Sequence, residues 1–169
     1  VPLLGKHQCE NAVLAIETVL SFDSELGKDT IKTGLKNAIW PGRMEKIFTN
    51  PDCFYDVAHN PQSIDATLRT IELLYKKRPI GVMVLKEGKN ICQISDRIQT
   101  RFHTLITTSI PAMGLYTAGE LQTQLSKNNI DATEMRDFQS AIKNGITLVD
   151  ANQCLLVFGS HYVAGDLYN

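Results

Sequence analysis

An α/β fold with a mostly parallel sheet between two helical layers follows from three features of the sequence. Strand and helix patterns alternate at least four times after Trp40, and Gly, Pro and helix-capping residues stand between them. Two runs, Ile80 to Leu85 and Cys154 to Phe158, are almost continuously apolar, as in strands buried on both faces. Strands separated by helices pair in parallel through right-handed crossovers, which gives a three-layer, Rossmann-like arrangement.

Each element follows in order. From His7 to Phe22, Ala12, Ala15, Ile16, Val19 and Leu20 recur at three- and four-residue spacing, which predicts a helix that buries this face. His7 and Asn11 stand one turn apart on a neighbouring face. A weaker helix is expected from about Ser24 to Lys36, with Gly34 near its end. Trp40-Pro41-Gly42-Arg43 then breaks the helical pattern, and strands are expected over Met44–Phe48 and Cys53–Val57. Asn60-Pro61 has the form of a helix start, and Ile64, Leu68, Ile71 and Tyr75 mark the inward face of that helix. Its end is expected at Lys76-Lys77-Arg78, a solvated cationic terminus that complements the helix dipole. After the Ile80 strand come a helix over Ile91–Arg101 and a short strand over Thr104–Thr107. Thr117 and Glu120 have the spacing of a capping box ahead of Leu121 and Leu125. Asp137 is placed to cap a helix that carries Phe138, Ala141, Ile142 and Leu148. After Cys154–Phe158, Gly159-Ser160 is expected to open a final helix.

Composition narrows the function. The 169 residues are 43% hydrophobic and 21% charged, with 11 glycines and 6 prolines, enough apolar material for one packed domain. Lys and Arg number 17 against 18 Asp and Glu, a net charge of -1. No electrostatic reason for holding nucleic acid or an anionic membrane follows from that balance, and no apolar run approaches the ~20 residues of a membrane span. Cys9, Cys53, Cys92 and Cys154 form no CxxC pair and read as reduced thiols of a cytoplasmic protein. The chain opens on Val1-Pro2 without methionine, and the expectation is a piece of something longer.

Open α/β sheets bind ligands beyond the carboxyl ends of their strands. Asp56, His59 and Asn60 follow one strand, and Gly159, Ser160 and His161 follow another, so both clusters belong at one edge of a parallel sheet. Simpler readings stand beside this one. Asp56 suits a turn cap, His59 a loop, Asn60 and Ser160 helix caps, and Gly159 close packing of helix on strand. His103 reads as structural. Neither GxxxxGK[ST] nor GxGxxG is present, nor a GxSxG elbow, nor a metal-spaced cluster.

Four strings carry a further signal: GKHQCENAVLAIE, WPGRMEKI, FYDVAHNPQSIDATL and, near the end, FGSHYV. In this order they resemble the C-terminal part of the dihydrofolate synthase/folylpolyglutamate synthase family of the Mur ligase superfamily. The resemblance implies ATP-dependent addition of glutamate to dihydropteroate or a folate through an acyl phosphate. It also implies that residues 1–38 are a helical remnant and linker of an N-terminal ATPase domain, and that 39–169 form the C-terminal Rossmann-like domain. That ATPase domain would be the main partner and would hold most of the Mg2+ site, with no metal site in this chain. By the same resemblance, Asn11 contacts adenine, Arg43 reaches the ATP phosphates, and Asp56 takes part in nucleotide binding. His59 sits near nucleotide and incoming glutamate, Ser160 belongs to the glutamate site, and Arg43 and His59 are the catalytic pair. Many members carry a DKD string where this chain has Gly88-Lys89-Asn90. Alternatives are a non-catalytic binding module and the corresponding domain of a peptidoglycan ligase of the Mur type.

Overall fold

The computed structural model describes residues 2–112 and 114–168. In chain order its elements are α1 (Lys6–Phe22), α2 (Lys28–Lys36), β1 (Glu45–Thr49), β2 (Asp52–Asp56), α3 (Pro61–Leu74), β3 (Ile80–Met83), α4 (Ile91–Ile98), β4 (Thr104–Ser109), α5 (Ala118–Ser126), β5 (Thr133–Asp137), α6 (Phe138–Thr147), β6 (Leu155–Phe158) and α7 (Ala164–Tyr168). One six-stranded sheet has the order β1-β2-β6-β3-β4-β5. Every pairing is parallel except that of β1 with β2, which is antiparallel.

The most apolar strands lie at the centre. β3 and β6 are buried along their whole length, and their side chains alternate between two cores. Phe54, Met83, Leu156 and Phe158 pack with Ile64, Leu68 and Ile71 of α3, Ile94 of α4 and Leu121 of α5. Tyr55, Val82, Leu155 and Val157 face the other way, with Phe138 and Ala141 of α6 and Leu167 of α7. The fully buried Ile64, Leu68 and Ile71 each contribute about 1.5–3 kcal/mol of apolar burial, which fixes α3 against the sheet.

The caps expected before α3, α5 and α6 form. The Asn60 side chain accepts the Ser63 N–H (2.9 Å), Thr117 and Glu120 cap each other's backbone, and Asp137 accepts from Ser140. Local sequence signals do not mark β5. Its sequence, Thr133-Glu134-Met135-Arg136-Asp137, lacks an apolar run because an edge strand needs none, and charge there discourages further pairing.

Several boundaries differ from expectation. α1 fully buries only Gln8; on the expected apolar face Ala15 and Val19 are exposed while Ala12, Ile16 and Leu20 are half-buried, so the described chain covers that face only in part. α2 starts at Lys28 after the Gly27 N-cap, not near Ser24. α3 stops at Leu74, before the cationic run. That run is a connection: Lys77 pairs with Asp150 (2.9 Å) and Arg78 donates to the Thr100 carbonyl (2.9 Å). α4 ends at Ile98 and β3 at Met83, although Val84 and Leu85 stay buried. The last helix opens at Ala164. Gly159 has φ 106°, and the Ser160 hydroxyl accepts the Tyr162 N–H (3.2 Å), so these residues make a turn instead of a cap for α7. All four cysteines are free thiols, with Cys53 and Cys154 buried.

Gly159 is required twice, by its positive φ and because a Cβ would collide with the Val84 carbonyl oxygen. Gly159→Ala is therefore expected to lower the unfolding free energy by about 3 kcal/mol in chemical denaturation; wild-type stability would contradict this packing. Asp52 ties β2 to its surroundings by accepting from Lys46 (2.9 Å) and from the Tyr75 hydroxyl. The Tyr75 hydrogen bond, then the Lys46 one, hold its carboxyl below the ordinary range. A depressed folded-state pKa gives stability that is present above the unfolded value and is lost as pH falls. The stability margin of wild type over Asp52→Asn is thus expected at neutral pH and to vanish on acidification below pH 3.8, as read by denaturation at several pH values.

Candidate functional site

The parallel register of β2 on β6 pairs Asp56 with Phe158, so the turns after these strands leave the same edge of the sheet. Asp56 itself is only 3% exposed. Its Oδ2 accepts the Met44 N–H (2.9 Å) and its Oδ1 accepts the Ala58 N–H (2.8 Å). Burial pushes this carboxyl above the ordinary range, against the opposing pull of the two N–H groups, Arg43 and His7. The Met44 bond matters because Met44 is a buried non-glycine residue at φ 46°, in the left-handed region. Asp56 thus holds the strained turn at the end of Trp40-Pro41-Gly42-Arg43, and Val57 N–H to the Gly42 carbonyl (2.9 Å) secures its other side.

Arg43 projects from that turn. Its guanidinium lies 5.4 Å from the centre of the Trp40 ring, a cation–π contact, and it makes no ion pair among the described residues. Arg43, Trp40, Asn11 and Asp56 line one small cavity together with His7, Gln8, Ser63 and Thr67. Asn11 donates its amide to Gln8 Oε1 (3.1 Å), which fixes the amide orientation and leaves its carbonyl oxygen available. The cavity holds about 140 Å³, well short of the ~300–1,000 Å³ of a complete small-molecule pocket. Arg43 and Trp40 also border a broader cleft of about 700 Å³ between the first residues and the loop after α2. The exposed Ile39 and Trp40 line it.

The structure therefore groups Asn11, Arg43 and Asp56, and it places His59 and Ser160 outside that cavity. His59 Nδ1 lies 2.8 Å from the Val57 carbonyl. A carbonyl only accepts, so Nδ1 carries the hydrogen, and in the neutral ring Nε2 keeps its lone pair. Ser160 is 3% exposed, with its hydroxyl engaged by Tyr162 N–H and its carbonyl by the Tyr55 hydroxyl (3.0 Å). Burial, then the negative charges of Asp56 and Glu45, push Tyr55 up to about 12, so this hydroxyl stays a donor. In the string that departs from DKD, Asn90 caps α4 by accepting from Gln93 N–H (3.1 Å), which accounts for an amide there. His103 borders a separate cleft, beside the starts of β4 and β5 and opposite Arg43's edge. Among the described residues no three His, Cys, Asp or Glu side chains come together to hold a metal ion, and no helix is long and apolar enough to cross a membrane.

Sequence reasoning assigned no role to Trp40, His7, Gln8, Ser63 or Thr67. Trp40 was visible beside Arg43, and the i, i+4 spacing of His7 and Asn11 already put both on adjoining turns. Ser63 and Thr67 come from α3, and only the packing of α1 on α3 brings them opposite Asn11.

Comparison with known proteins identifies the family. Residues 42–161 match the family model described as Mur ligase, glutamate ligase domain. The folylpolyglutamate synthase of Lacticaseibacillus casei is 31% identical over 116 residues, covering 66% of this chain and 27% of that protein. The dihydrofolate synthase/folylpolyglutamate synthase of Bacillus subtilis is 26% identical over 177 residues, covering 98% and 39%. Among solved structures, Mycobacterium tuberculosis folylpolyglutamate synthase complexed with ADP superposes with a TM-score of 0.90 at 25% identity, covering 99% of this chain and 40% of that one. The chain thus spans well under half the length of these relatives. With its mostly parallel α/β sheet and a family match over residues 42–161, the chain belongs to the Mur ligase family and carries that family's glutamate ligase domain.

Proposed function

We propose that this chain supplies one half of the active site of an ATP-dependent ligase that adds glutamate to dihydropteroate or a folate in the cytoplasm. The observation that carries the reading is Arg43, a cation left without an ion pair among the described residues and held on a braced turn at the carboxyl edge of the sheet. The small cavity beside it and the apolar residues around it suit a site completed by another domain. An N-terminal ATPase domain meeting α1, Ile39 and Trp40 is the partner this surface fits. ADP in the Mycobacterium tuberculosis relative supports a nucleotide as ligand.

In this reading the substrate carboxylate takes the γ-phosphoryl group of ATP, which yields ADP and an acyl phosphate. The amine of glutamate then attacks the acyl carbon, phosphate leaves, and the amine loses a proton. Arg43 stabilises the negative charge on the transferring phosphoryl oxygens, with a planar fork of donors that stays protonated throughout. Asn11 offers its amide to the adenine edge. His59, with Nδ1–H on the Val57 carbonyl, turns Nε2 toward the amino acid as acceptor of the amine proton. Ser160 shapes the glutamate pocket through its turn. Asp56 acts on the nucleotide through the loop it holds, since each carboxylate oxygen already accepts a backbone N–H. A Mg2+ ion accompanying ATP would neutralise phosphate charge. In this reading the ATPase domain supplies most of its ligands.

Two outcomes follow. With the chain joined to its ATPase domain, ATP- and glutamate-dependent elongation of a folate is expected, and Arg43→Ala should lower kcat/KM about 100- to 1,000-fold. Normal turnover of Arg43→Ala would remove the site assignment. Asp56→Asn leaves the Met44 N–H without its carboxylate, at a cost of about 1–3 kcal/mol in unfolding free energy and with a raised KM for ATP. Unchanged stability together with unchanged KM would show that Asp56 does not brace the turn.

A further inference from the structure

The Arg43 turn is gripped at a second point, from the far end of the chain. Gly42 N–H donates to Glu45 Oε2 (2.8 Å), and the same oxygen accepts the hydroxyl of Tyr168 in the last turn of α7. Tyr168 reaches Glu45 because its ring stands edge-on to Tyr55, with centroids 6.4 Å apart and planes at 76°. Tyr55 donates its own hydroxyl to the Ser160 carbonyl, and a side chain at Gly42 would strike Val57 and crowd the Tyr55 ring. Two rings and one carboxylate thereby join the arginine turn, the turn after β6 and the end of α7. Glu45 and Tyr168 are 123 residues apart in the chain.

Glu45 lies two positions from Arg43, near enough in sequence for a competing ion pair. The structure instead places its Oε2 on Gly42 and Tyr168, and Arg43 rests on Trp40. We propose that Glu45 is a positioning residue for Arg43, and that the Tyr168 hydroxyl keeps Glu45 in that role and away from the guanidinium. The proposal deepens the ligase reading, on which Arg43's task of meeting nucleotide phosphate rests.

Tyr168→Phe removes only the hydroxyl and leaves the ring on Tyr55. In the chain itself, amide exchange followed by NMR is expected to quicken about tenfold at Gly42 in Tyr168→Phe and in Glu45→Ala, the change equivalent to about one hydrogen bond. Glu45→Gln retains an accepting oxygen and should keep protection near wild type. Equal Gly42 protection in wild type and Tyr168→Phe overturns the clamp, whatever Arg43 does. In the ligase with its ATPase domain, Tyr168→Phe should raise KM for ATP about tenfold and leave KM for glutamate unchanged. A parallel loss for both substrates marks a merely structural residue and also overturns the proposal. Absence of ATP-dependent ligation by the wild type overturns the ligase reading instead, and the Gly42 exchange still decides the clamp.

Discussion

The carboxylate of Asp56 is the point on which the site's geometry depends. It sits at the carboxyl end of β2, inside the protein, and grips the backbone on both sides of itself: Met44 before the strand pair and Ala58 after it. A buried charge is costly unless it is hydrogen-bonded, and here burial outweighs the two N–H groups enough to raise the carboxyl's pKa. That expense makes sense at a position where a non-glycine residue must be kept at φ 46° so that the side chain before it faces the sheet edge. Replacing Asp56 with an apolar residue would relieve the desolvation and release the turn.

The same edge gathers the candidate site. β2 and β6 are parallel neighbours, so their turns open side by side, as ligand sites in open α/β sheets require. Yet the side chains divide. Asp56 belongs with α1, α3 and Arg43, while Tyr55, one residue earlier and on the opposite face, holds Ser160. Period-two alternation thus assigns adjacent residues of one strand to two different parts of the site. The exposed Ile39 and Trp40 of the loop after α2 line the same cleft as the arginine.

Most of the fold was legible because its signals are local. The apolar runs of β3 and β6, the Asn60 and Thr117 caps and the Asp137 cap each report their own structure, and all form. β5 was not legible, because an edge strand carries charged residues and lacks the alternation that marks a half-buried one. The α1 stripe has helical periodicity, but periodicity does not say what covers it. At the site, the type and order of Asn11, Arg43 and Asp56 were visible in the motifs, and their grouping follows from the packing of α1 on α3. Two details needed coordinates. One is that the Asp56 oxygens are taken up by backbone. The other is that Ser160 lies in a tight turn after a glycine at φ 106°, with α7 starting later.

The most direct test is a crystal structure of this chain with the proposed ATPase domain and a non-hydrolysable ATP analogue. The account requires an Arg43 guanidinium nitrogen within hydrogen-bond distance of a phosphate oxygen while Asp56 still accepts the Met44 N–H. An Arg43 turned away from the phosphates, or an Asp56 that has left Met44 to bind the nucleotide itself, would contradict it.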